Sequence, residues 1–337
     1  MVAVLWIVGG LAALYLLIGL VFFELTFRRF RSQSNPMKNI TNATDRLLAP
    51  YRDLIDEGTE WLVTHPAEDV EITSRDGLRL RGRLYENPDT RAVLVACHGY
   101  RSNGMRDFAS ACRYYGEHGM SILLIDERAC GRSEGKYITF GVLECDDARD
   151  WCAFAEKRFP GVPLVLAGIS MGGAAVLMTA DELPDSVAAI LADCGFSSAW
   201  DELRWAARRY IGRAAEIFVP CVGLWAWALA DFGLRDRDAR TALAKTDKPV
   251  FFVHGEADGL VPCSCSIENR AACAGPSELL TVPGADHGMS YLVDHDGYCA
   301  AVDAFLKKYV LPDDQRTEPQ HREPYSNPKR LSFVRRT

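Results

Sequence analysis

The chain has 337 residues, 48 % of them apolar, and a formal charge of −7 from 38 basic and 45 acidic side chains. That length sustains a sizeable buried core, and the balance is that of an ordinary globular protein. With no long basic run it lacks the clustered Lys and Arg on which nucleic-acid binding rests. Its eleven cysteines do not form the disulfide framework of a short secreted chain. Cys263 and Cys265 are also too close for a Cys-x-x-Cys zinc or redox site, so the cysteines read as small apolar residues of a reducing compartment.

Val2 to Phe23 carry neither charge nor proline. Such a run spans roughly 33 Å as a helix at about 1.5 Å per residue, enough to cross a hydrocarbon core. A cleaved signal peptide would need a basic n-region, a shorter apolar stretch and a small-x-small site. None of these is present, so residues 1–27 are expected to form an uncleaved single-pass anchor. Arg28, Arg29, Arg31 and Lys38 follow it, and the positive-inside rule then puts the body in the cytoplasm. The glycosylation patterns at Asn39 and Asn42 would be unused on that side.

Residues 28–68 read as a linker with one amphipathic helix, since Leu47, Leu48, Tyr51, Leu54, Ile55, Gly58 and Leu62 recur at helical spacing. The body is expected at 69–312. It opens with Glu71 to Thr73 and Leu78 to Tyr85 around Arg75-Asp76-Gly77, an antiparallel hairpin with one wet face. Six short apolar runs follow: Ala92 to Cys97, Ile122 to Ile125, Leu164 to Ala167, Ala188 to Ala192, Val250 to Val253 and Leu279 to Val282. Runs apolar on both faces, alternating with helical patterns, belong in a parallel sheet covered by helices. The expected fold is therefore α/β, with eight mostly parallel strands. Ala188 to Ala192 and Val250 to Val253 are separated by an excursion at about 199–246, expected to be a helical insertion. Its stretch Ile217 to Ala230 carries no charge and suits a buried or interfacial helix better than a second span. The tail 313–337, rich in Pro, Arg, Glu and Gln, is expected to be disordered.

The chemistry centres on Gly168-Ile169-Ser170-Met171-Gly172, which directly follows an apolar run and opens a small-residue helix. At such a turn the glycines let strand and helix approach, and strain pushes the serine oxygen out of the sheet. A serine hydroxyl needs a base held in the right tautomer by a carboxylate. His287, after the last run, and Asp258, after the preceding one, supply them from C-terminal strand ends, where open α/β sheets keep their sites. Asp193 is the rival carboxylate, while Glu256 and Asp286 read as solvent-facing or supporting. A tetrahedral intermediate needs amide donors. Met171, just after the nucleophile, and Tyr100, in the turn His98-Gly99-Tyr100, are the candidates.

In that order, these motifs and Asp126-Glu127-Arg128-Ala129-Cys130-Gly131-Arg132-Ser133 resemble the α/β-hydrolase superfamily over about residues 69–311. The chain is similar to membrane-anchored bacterial members of its serine aminopeptidase-like and monoacylglycerol lipase-like branch. The resemblance implies a Ser-His-Asp mechanism and a cap domain at the excursion. Ala129 and Cys130 stand where such proteins usually carry Gly and His, in a segment expected to shape the pocket wall. No metal-ligand spacing and no phosphate loop appear, so neither metal nor cofactor is expected.

The leading reading is an esterase acting on a small-molecule or lipid ester. A peptidase or amidase on the same residues is an alternative, with Asp201, Glu202 and Asp231 available in the cap to meet a free amine. A catalytically silent membrane-bound binding protein is a third. The sequence does not reveal the oligomeric state.

Overall fold

The computed structural model describes residues 1–29 and 48–311. Arg31, Lys38, Leu47, both glycosylation patterns and the tail from Asp313 lie outside the described residues.

Helix α1 (Val2–Phe27) forms from the uninterrupted apolar run and ends where Arg28 turns into extended backbone. Leu5, Trp6 and Leu11 are bare, but Phe23 and Phe27, one turn apart, are fully buried. A 3-10 turn, Ala49–Tyr51, leads into α2 (Arg52–Thr64), which buries Leu54, Gly58 and Leu62. This is the helical stripe expected from the sequence. Gly58 lies so close to the next helix that a Cβ there would collide with the Ala109 carbonyl.

Strands β1 (Glu68–Thr73) and β2 (Arg79–Tyr85) form the antiparallel hairpin. After β3 (Ala92–Cys97) and α3 (Gly104–Glu117) comes β4 (Met120–Asp126), which pairs antiparallel with β2 and parallel with β3. The chain continues through α4 (Glu144–Arg158), β5 (Leu164–Ile169), α5 (Met171–Met178) and β6 (Val187–Asp193). It then leaves the sheet for the insertion: α6 (Ala199–Ala206), a π turn, a 3-10 turn (Arg213–Phe218), α7 (Val219–Ala230) and α8 (Ala239–Leu243). It returns as β7 (Val250–Gly255), α9 (Ser264–Ala272), β8 (Ser277–Val282), α10 (Ser290–Val293) and α11 (His295–Tyr309). Several helices carry their own start and stop chemistry. Asn103 accepts from the Arg106 amide at the start of α3, and α4 has acids in its first turn and Lys157 and Arg158 in its last, each complementing the macrodipole.

The sheet order is β1-β2-β4-β3-β5-β6-β7-β8. Each face of the central strands has its own core. Val93, Val95, Leu164 and Leu166 pack with α4, α5 and the end of α1. Leu94, Ala96, Val165 and Ala167 pack with α2, α3 and α11. Because β4 and β5 leave β3 on opposite sides, strand order reverses at β3, and the crevice at the C-terminal ends of β3 and β5 is the natural place for a site. All eleven cysteines are free, seven of them buried.

Candidate active site

Ser170 follows β5 with φ +57° and ψ −116°, a backbone conformation that costs a non-glycine residue energy and persists only when its surroundings impose it. The Ser170 amide donates to the Asp193 carbonyl at 2.8 Å, and the Ser170 carbonyl accepts from the Ala174 amide at 2.8 Å. A Cβ at Gly172 would collide with the Cys97 carbonyl, and one at Gly168 with the Gly172 carbonyl. Both glycines are therefore required by the crossing of α5 over the strand ends.

His287 Nε2 lies 2.8 Å from Ser170 Oγ, and its Nδ1 lies 2.8 Å from Asp258 Oδ2. An ionised carboxylate only accepts, so Nδ1 carries the proton and Nε2 is free to accept from the serine hydroxyl. Asp258 also receives the Leu260 and Val261 amides on Oδ1 at 2.8 and 2.9 Å. His254 Nε2 stands 3.3 Å from Oδ2 and 3.0 Å from the Val261 carbonyl, while its Nδ1 meets Ser266 Oγ at 2.7 Å. Both neighbours of Nε2 are acceptors, which fixes the proton there and makes His254 a donor to Asp258. Sequence reasoning gave His254 no role; its position on β7, one helical turn's count before Asp258, was the available signal.

Burial alone would raise the Asp258 pKa, but the hydrogen bonds from His254 and His287 and the His287 charge overcome it and hold the carboxyl well below the usual range. Burial likewise tends to lower the His287 pKa. The Asp258 hydrogen bond and the charges of Asp258, Asp193 and Glu202 outweigh it, and the net shift is upward. Asp193 is not in the relay. It is buried beside it, with Oδ1 unpartnered among the described residues, and burial pushes its carboxyl up to about 6 against the pull of His254 and His287. Asp286 supports the His287 loop by accepting from the Gly259 and His287 amides. Glu256 is exposed and accepts from Thr281.

The Met171 amide heads α5, where first-turn N–H groups have no intrahelical acceptor. Across the crevice, Gly99 comes close to Ser170: a Cβ there would stand 3.4 Å from Ser170 Cβ. The Gly99 amide donates to Asp107 Oδ2 at 2.7 Å, and Ser102 bonds the other Asp107 oxygen. These bonds fix the turn that carries Tyr100. His98 is buried, accepting the Glu127 amide on Nε2 at 3.1 Å and facing the Gly99 carbonyl with Nδ1 at 2.7 Å.

The same turn is tied to α1, which sequence reasoning did not foresee. The Tyr100 hydroxyl donates to the Thr26 carbonyl at 2.6 Å, and Arg101 donates to the Leu25 carbonyl at 2.6 Å and to those of Thr26 and Arg28 at longer range. A guanidinium thus satisfies carbonyls that a helix end leaves unpaired. The segment from Asp126 to Ser133, expected to shape the pocket wall, lies elsewhere. None of its residues lines the cavity; its Gly131 and Ser133 carbonyls instead accept from Arg29. Ala129 takes φ +58°, where glycine is usual.

Ser170 and His287 open onto a cavity of about 890 Å³, within the roughly 300–1,000 Å³ of small-molecule sites. Its walls are mostly apolar, with Phe22 from α1, Phe196 after β6, and Leu203, Phe218 and Val222 from the insertion. Of the three acids expected near an amine, only Glu202 lines it. Asp201 is paired with Arg240, and Asp231 ends α7 in a left-handed conformation. Burial pushes the Glu202 carboxyl up to about 8.

Residues 88–244 match the family model described as serine aminopeptidase, S33, and residues 216–318 one described as TAP-like protein. YqkD of Bacillus subtilis is similar at 23 % identity over 302 residues, covering 89 % of this chain and 95 % of YqkD. The Pyrococcus furiosus esterase Pf2001 superposes with a TM-score of 0.60 at 22 % identity, over 74 % of this chain and 95 % of that one. Est1E of Butyrivibrio proteoclasticus, solved with ferulic acid bound, gives 0.55 at 21 % identity, over 71 % and 98 %. Likeness at these identities speaks to the fold.

Proposed function

The chain belongs to the α/β-hydrolase superfamily, and on that premise we propose that it is a serine hydrolase of carboxylic esters with a long apolar or lipid-like acyl group. The observation that carries the reading is the unbroken relay Ser170–His287–Asp258, both links 2.8 Å, at the wall of a large apolar cavity. Ser170 attacks the acyl carbon while His287 Nε2 takes its proton, and Asp258 stabilises the imidazolium. The Met171 and Tyr100 amides receive the oxyanion. His287 returns the proton to the leaving alcohol, and water then releases the acyl group by the same steps. The chain and water suffice for this reaction; no cofactor enters it.

Glu202 favours a second reading, a peptidase or amidase whose substrate brings a free amine. Its raised pKa leaves it mostly neutral at pH 7, which suits an uncharged ester better until a cation arrives. Helix α1 supports single-pass membrane attachment, with the body on the cytoplasmic side by the positive-inside rule.

The test is hydrolysis of p-nitrophenyl esters from acetate to palmitate, and of aminoacyl p-nitroanilides, by the full chain in phospholipid nanodiscs beside Ser170→Ala. Ser170-dependent ester turnover with a medium- or long-chain optimum is expected. Faster anilide turnover would move the reading to amides. Absence of both in a folded sample would overturn it in favour of a silent binding protein.

A further inference from the structure

Helix α7 and the turn before it expose one apolar stripe, Ile217, Pro220, Leu224 and Trp227, at the three- and four-residue spacing of a single helix face. Ile217, Leu224 and Trp227 are 64 %, 47 % and 66 % exposed. No charge occurs from Ile217 to Ala230. A water-facing surface of this kind is costly, and such patches mark interaction sites.

What covers it follows from the helix that α7 packs against. Gly19 of α1 sits so close to Cys221 that a Cβ there would collide with the cysteine side chain. Trp225 Nε1 donates to the Leu16 carbonyl at 2.9 Å, the Tyr15 hydroxyl donates to the Ile217 carbonyl at 2.7 Å, and the Tyr15 ring stacks on Phe218 at 5.4 Å. These contacts fix α7 at the level of residues 15–22 of α1. If α1 crosses a bilayer, about 20 residues from Val2 fill its hydrocarbon core. Leu16 then lies about 7 Å inside the boundary, at about 1.5 Å per residue. Trp225 is bonded to Leu16 and shares that depth, which is the depth of a helix lying in a membrane interface.

We propose that the stripe Ile217–Leu224–Trp227 is embedded in the leaflet that α1 enters on its way to the body, a second membrane contact that seats the cap in the lipid. This rests on α1 being membrane-inserted. Arg209 and Arg213, exposed just before the stripe, flank it as basic residues flank interfacial helices. The opposite side of α7 contributes Val219 and Val222 to the cavity. A lipid-dissolved ester is then separated from Ser170's cavity by the thickness of one helix.

Two tryptophans make the test self-controlled, since Trp6 reports on α1 and Trp227 on the stripe. The full chain is reconstituted in phosphatidylcholine vesicles with and without dibrominated acyl chains, as wild type, Trp6→Phe, Trp227→Phe and the double variant. Fluorophosphonate labelling checks that each is folded. Each single substitution is expected to remove a distinct part of the bromine-quenchable fluorescence, Trp227→Phe chiefly the part quenched by bromines near the headgroup. Quenching that depends on Trp6 but not on Trp227 overturns the proposal, leaving the stripe to water or, if cross-linking joins two chains there, to a second copy. Loss of dependence on both overturns the membrane reading of α1 itself. As a second measurement, Trp227→Asp should slow hydrolysis of a long-chain ester supplied in the vesicles several-fold and leave p-nitrophenyl acetate turnover unchanged. Equal effects on both substrates would count against the proposal.

Discussion

The cavity has two walls built on different physics. On one side, Ser170, Asp258 and His287 stand just past the ends of β5, β7 and β8, and the sheet brings them within hydrogen-bonding reach. On the other side, α1 and α7 meet through packed rings and a few bonds between residues 202 to 209 positions apart in sequence. The first wall is carried by one hydrogen-bonded sheet, which brings Ser170 and His287 together although they are 117 positions apart in sequence. The second depends on two helices docking outside the sheet, so it is the wall that a lipid environment or a mutation can move without disturbing the first.

The largest effect should fall on the strand-end wall. Removing the proposed nucleophile in Ser170→Ala should cost about 10⁴- to 10⁶-fold in kcat, as in other enzymes where serine and histidine act as a unit, with no change in thermal unfolding. His287→Ala should cost a similar factor, and the double variant little more. Full additivity of the two losses would show that they do not act as one relay.

Legibility followed the same division. The cluster of Ser170, Asp258 and His287 could be read because these residues, with Gly168 and Gly172, each follow an apolar run, and strand ends are visible as the places where such runs stop. Six of the eight strands were legible for the same reason, and the hairpin before β3 from its alternating pattern around Arg75-Asp76-Gly77. The docking of α1 was not. Phe23 and Phe27 look in sequence like the end of any apolar span, and nothing marks them as facing Tyr137, Phe140 and Phe232. Arg101 was equally silent, because its partners are main-chain carbonyls and carry no sequence signal.

Two substitutions on the α1 side sharpen the contrast. Phe27 is fully buried between Phe23, Phe140 and Phe232. Phe27→Ala should therefore destabilise the whole body by about 3–5 kcal/mol, read as a lower unfolding temperature in detergent. An α1 that served only as a tether would leave unfolding unchanged. Arg101→Ala is expected to be milder. It removes the guanidinium that ties the Tyr100 turn to the end of α1, and kcat should fall about tenfold with KM nearly constant, a fraction of the 10²–10³ that a lost oxyanion donor costs. Arg101→Lys should recover part of that loss, since one ammonium can reach one of the carbonyls. A change confined to KM would place Arg101 in substrate binding instead of in loop positioning.

The smallest effect concerns the buried charge behind the relay. In the proposed mechanism His287 must be neutral to take the serine proton, and its pKa is raised above the ordinary 6.5, so kcat/KM should rise with pH through a limb lying above that value. Asp193 is one of the charges that raise it, and with its own carboxyl pushed to about 6 it is ionised over the limb. Asp193→Asn removes that charge, makes protonated His287 less stable and should move the limb to lower pH by a few tenths of a unit, on the order of 0.5 kcal/mol. Glu202→Gln should move it less, because the Glu202 charge contributes less than that of Asp193 to the raised His287 pKa and its carboxyl, held near 8, is only partly ionised there. If Glu202→Gln produced the larger shift, Glu202 would be charged in the working enzyme, and the case for a substrate with a free amine would gain accordingly.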